Sequence, residues 1–101
     1  MTDSCGAPDQ DALADEPIPA GQTVVAGQVR DASGPVPGAF VRLLDGSGEF
    51  LGEVVSARTG RFRFYARPGD LTVSVLSARG SGRITVTAAA GGLTAADLTL
   101  S

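Results

Sequence analysis

Thr59-Gly60-Arg61-Phe62-Arg63-Phe64-Tyr65 is the stretch that decides the fold class. Aromatic and charged residues alternate strictly across it, which is the two-residue period of a β-strand and not the 3.6-residue period of a helix. The alternation sends Phe62 and Phe64 into a core and Arg61, Arg63 and Tyr65 to the outer face. Thr59-Gly60 supplies a tight turn before the strand, and Pro68-Gly69-Asp70 a corner after it. Outward from there the same grammar repeats. Residues 23–31 set Val25, Gly27 and Val29 against Gln28 and Arg30, and end at the turn Ala32-Ser33-Gly34-Pro35. Residues 38–45 turn Ala39, Val41 and Leu43 inward and stop at Asp45-Gly46-Ser47-Gly48, and 49–57 form a third strand. Beyond the corner, 71–77 place Leu71, Val73 and Val75 inward, and Arg79-Gly80-Ser81-Gly82 reads as a flexible loop. Residues 83–88 and 97–101 give the last strands, while 88–92 are too small to place and 93–96 make one helical turn at most. About seven short strands punctuated by turns indicate an all-β sandwich or barrel.

The chain has 101 residues, enough for one compact domain. Histidine is absent and cysteine occurs once, which excludes a His-dependent triad, a His/Cys zinc site and an intrachain disulfide framework. No metal and no cofactor is expected. All eight basic residues are arginine, and charge is unevenly placed. Residues 1–20 carry five acids (Asp3, Asp9, Asp11, Asp15, Glu16) and no base, whereas the rest of the chain sets eight Arg against six acids. With Pro8, Pro17 and Pro19 and few apolar side chains, residues 1–21 are expected to be a disordered acidic arm, and 22–101 the sandwich. The body lacks the dense basic clustering of a nucleic-acid binder. No apolar run is long enough to span a bilayer and no export signal leads the chain, so the expected location is cytoplasmic.

The order Gly27-x-Val29-x-Asp31, Gly34-x-x-x-Gly38-Ala39-x-Val41-x-Leu43, Thr59-Gly60-x-Phe62-x-Phe64 and Pro68-Gly69-x-x-x-Val73-x-Val75 resembles the carboxypeptidase regulatory-like domain. That resemblance implies a seven-stranded transthyretin-like (prealbumin-like, Ig-like) β-sandwich over residues 23–101. The segments Gly38-Ala39-Phe40-Val41-Arg42-Leu43-Leu44-Asp45 and Gly48-Glu49-Phe50, with Cys5-Gly6-Ala7-Pro8 and Gln10 near the start, are similar to the actinobacterial SseC-type family. Membership implies a small protein of sulfur metabolism whose gene lies beside a thiosulfate sulfurtransferase of the rhodanese type. It carries no established catalytic residues to transfer. The transthyretin-like fold also hosts a ureide hydrolase that uses histidine, and a chain without histidine cannot share that chemistry.

Three sets of residues are candidates for function. Cys5, on an accessible arm, could accept sulfane sulfur from a sulfurtransferase persulfide; the bland alternative is an idle thiol slowed by neighbouring acids. Arg58, Arg61, Arg63 and Arg67, with Tyr65 between them, could form an exposed basic strip for a partner's acidic patch or a small anion. The plain alternative is a solvated strand face, softened by Glu49 and Glu53 from a neighbouring strand. Phe40 and Leu44 fall on the outer face, near Phe50 and Leu51, and suggest a docking or self-association surface unless a loop or the arm covers them. The leading expectation is a non-enzymatic accessory protein that binds a thiosulfate sulfurtransferase, with Cys5 as candidate sulfur acceptor. The rival is a structural or interaction module that docks through Phe40, Leu44 and the arginine strip, with no role for Cys5.

Overall fold

The computed structural model describes residues 18–100. Nine strands follow in order: β1 Thr23–Asp31, β2 Gly34–Pro35, β3 Phe40–Asp45, β4 Phe50–Val55, β5 Arg61–Ala66, β6 Gly69–Ser77, β7 Gly80–Ala88, β8 Gly92–Ala95 and β9 Leu98–Thr99. Neither a helix nor a membrane-spanning apolar helical segment occurs among the described residues. The chain is all-β, as expected, with two more strands than the seven read from the sequence. One addition is β2, where the chain folds straight back at Ala32-Ser33 so that Gly34 and Pro35 pair with Asp31 and Arg30. Two residues inside a turn motif carry no alternation to read. The other is β8, which runs parallel to β1 from Thr23↔Gly92 to Ala26↔Ala95. Its Gly-Leu-Thr-Ala sequence is a weak strand former alone, and the central strand's backbone supplies the hydrogen bonds that hold it. The loop expected over 79–82 also proves shorter, because Ser77 pairs with Gly80 and leaves only Ala78 and Arg79 to turn.

One sheet is built around β1. Antiparallel β5 and parallel β8 both pair with Thr23–Ala26 and so occupy opposite edges, while β2 and parallel β9 flank its far end. The other sheet is the antiparallel ladder β4-β3-β6-β7. Val25, Val29, Phe62 and Phe64 from the first meet Val41, Leu43, Leu71, Val73 and Val75 from the second in one core. The two phenylalanines are 2% and 7% exposed and pack edge to face, ring centroids 6.1 Å apart. Burying each contributes about 2–3 kcal/mol, which makes them anchors between the sheets.

Ser56, buried at the edge of this sandwich-like pair, has its hydroxyl matched as donor and as acceptor. It accepts a hydrogen bond from the Ala39 amide and donates one to the Val36 carbonyl, both at 2.8 Å. That clasp holds the loop before β3 against the end of β4 and buries Val36 completely. At the same end, the Arg79 guanidinium grips the Asp31 carboxylate with two bonds of 2.8 and 2.7 Å, tying the β6–β7 turn to the β1–β2 turn.

Candidate functional site

The cross-strand registers place the proposed docking residues. Within the four-stranded sheet Phe40 lies opposite Val55 on one side and Leu76 on the other. Because Ala39, Val41 and Leu43 are buried, alternation turns this row outward, as the sequence indicates for Phe40. Phe40 is 50% exposed and Leu76 64%, so three apolar side chains from adjacent strands form a contiguous patch. Leu76 escapes a reading that follows only the inward set of 71–77, although the same alternation sends it outward.

The next row is polar: Glu53, Arg42, Ser74 and Arg83 stand opposite one another in strand order. Arg42 donates to Glu53 at 2.8 Å and its guanidinium lies 5.9 Å from the centroid of the exposed Phe50 ring. Beyond it Leu44 is half-buried opposite Phe50, where a register shift follows Leu43. A shallow open trough of about 800 Å³ runs over Phe40, Arg42, Ser74, Leu76 and Arg83. An apolar row rimmed by charged side chains is the anatomy of a protein-docking surface.

The arginine strip is corrected by the structure. β5 pairs with β1, not with β4, so Glu49 and Glu53 do not lie beside it. Arg63, opposite Ala26, is 6% exposed, and its guanidinium stacks 5.7 Å from the Tyr65 ring centroid. Arg61 is half-buried; Arg58, Tyr65 and Arg67 are exposed. Alternation gave the outward direction of Arg63 rightly but not its burial, since direction and solvent contact are separate facts. Nor do the strip and Phe40 share a surface: they sit on the outward faces of different sheets, so one partner cannot span Phe40, Leu44 and the arginines as a single patch. Cys5 and the arm up to residue 17 lie outside the described residues. No group of three metal-ligating side chains occurs among those that are described.

Two carboxylates at the rims titrate low. Asp31 is held below its usual range by the Arg79 hydrogen bonds, helped by the Ser33 amide. Asp45 is lowered first by the Ser47 hydroxyl and then by the Glu49 amide, in the turn from β3 to β4. These are structural ties; neither group faces the apolar row.

Comparison with known sequences adds the lineage. A Mycolicibacterium smegmatis protein described only as uncharacterised is 53% identical over 78 residues, covering 76% of this chain and 87% of its own length. The uncharacterised protein Rv0814c of Mycobacterium tuberculosis is 49% identical over 78 residues, covering 76% of this chain and 78% of its own. Rv3118 of the same organism matches to the same extent. The profile of one family spans residues 5–100, and the chain therefore belongs to the family described as protein of unknown function, DUF1416.

Proposed function

We propose that this chain is a non-enzymatic accessory protein of sulfur metabolism, a transthyretin-like sandwich of the SseC type that docks a thiosulfate sulfurtransferase. The observation that carries the docking half is the exposed apolar row Val55, Phe40 and Leu76 with its charged border. The resemblance in the strands and around Cys5 supports the sulfur half. In the transfer, the Cys5 thiolate attacks the outer sulfur of the partner's cysteine persulfide. A new S–S bond forms at Cys5 Sγ, the donor's S–S bond breaks, and the electron pair leaves on the donor thiolate. No oxidant or reductant is consumed.

Intact mass after incubation with thiosulfate and the sulfurtransferase encoded nearest the gene tests this reading. A gain of about one sulfur on the wild type, absent from Cys5→Ser, is expected. The rival reading, an interaction module with no role for Cys5, is favoured by one fact: the docking row is complete without the arm. Binding without any mass gain would select it.

A further inference from the structure

The strand order β4-β3-β6-β7 puts a midline between β3 and β6, with two strands on each side of it. Across that order the outward apolar row runs Val55, Phe40, Leu76, Ser81, and the polar row runs Glu53, Arg42, Ser74, Arg83. Reversing either row about the midline brings complementary residues together. Apolar Phe40 exchanges with apolar Leu76, and acidic Glu53 with basic Arg83. Val55 and Arg42 exchange with the two serines, the small side chains that line the open trough. Arg83 is exposed and forms no ion pair with another described residue, and Arg42 engages Glu53 through Oε2 alone. A face ordered in this way is complementary to itself.

Two such faces meet about a two-fold axis only when the axis lies in the plane between them. An axis along the strands, over the midline, keeps each row opposite its counterpart and reverses its order, which turns every exchange above into a contact. An axis along the polar row instead sets Glu53 on Glu53 and Arg42 on Arg42, like charge on like. We propose that the chain self-associates through this face about the strand-parallel axis, with Phe40 against the second copy's Leu76 and Glu53 against its Arg83. Each contact then occurs twice. Packed sheets cross at about 30°, which displaces the ends of a four-strand row by only about 4 Å, within reach of Glu and Arg side chains. With its outer strands about 15 Å apart the face is small for an interface, so the dimer is expected to be reversible. The inference stands without the sulfurtransferase; where that partner docks on the same row, it must displace the second copy.

Sedimentation velocity on the full chain alone, in reducing buffer and from about 1 to 500 μM, tests the proposal. The wild type is expected to pass from monomer toward dimer over that range, and Phe40→Asp to stay monomeric. Glu53→Arg and Arg83→Glu, each by itself, should weaken self-association at least about tenfold, because each reversal sets two like-charge contacts across the axis. Mixed in equal amounts, these two variants should associate again, since each altered charge then meets its opposite on the other variant. A wild type that stays monomeric throughout overturns the proposal, as does a dimer that Phe40→Asp leaves unchanged. A mixture that associates no better than either variant alone overturns the strand-parallel arrangement. No sulfurtransferase is present in these measurements, so their failure and the failure of the docking reading are separate results.

Discussion

A methyl group at Gly27 has nowhere to go. An added Cβ would collide with the Ala96 carbonyl oxygen, where the chain runs alongside β1 between β8 and β9 and the Ala96 amide donates to the Ala26 carbonyl at 2.8 Å. Backbone cannot yield there as a side chain can, so Gly27→Ala should cost about 2–4 kcal/mol in denaturant unfolding. The sequence shows Gly27 only as an inward place in an alternating strand; the close approach comes from Ala96 and Asp97, far along the chain, and has no local signature. Ser56 is similar. Ser56→Ala would leave the Ala39 amide and the Val36 carbonyl without their buried partner, a loss of about 1–3 kcal/mol expected in the same measurement. A lone serine after a strand reads as the start of a turn. The large apolar residues were more legible, because Phe62 and Phe64 follow from alternation alone, whereas alternation carries no sign that Arg63 is buried.

Elements with their own alternation or flanking turns were readable, and those that borrow their order were not. Strand β1 runs over the residues the pattern indicates, and β3, β5 and β6 lie within a few residues of it. β2 and β8 exist because β1 offers them unpaired backbone groups. The turns joining these elements carry the acid sensitivity. Arg79 lowers the pKa of Asp31, and the Ser47 hydroxyl that of Asp45. A carboxylate whose folded pKa is depressed stabilises the fold above its unfolded value, about 3.9 for Asp, and that contribution is lost as pH falls through the folded value. The melting temperature should therefore drop between about pH 5 and pH 2, with Asp31→Asn starting lower at neutral pH and falling less. A variant that falls as steeply as the wild type would show that the Asp31–Arg79 tie does not contribute to the pH dependence.

Across the whole molecule, two sheets close one core and present two unlike outward faces. One carries the apolar row of Phe40, Leu76 and Val55; the other carries Arg61 and Arg63 beside a narrow cleft. The sequence supplied Phe40 and the arginines but not Leu76 or Val55, and it could not separate the two faces, because the pairing of β5 with β1 rather than with β4 is decided by the whole fold. The proposed docking of a partner belongs to the four-stranded sheet, where the apolar row lies. Calorimetric titration of the full chain with the thiosulfate sulfurtransferase, comparing wild type, Phe40→Asp and Cys5→Ser, tests the assignment most directly. Phe40→Asp is expected to keep the wild-type melting temperature within a few degrees and to weaken binding at least about tenfold, the loss typical of a central apolar contact. Cys5→Ser should bind as the wild type does. Unchanged affinity in Phe40→Asp, or no binding by the wild type, would contradict the docking role of this face.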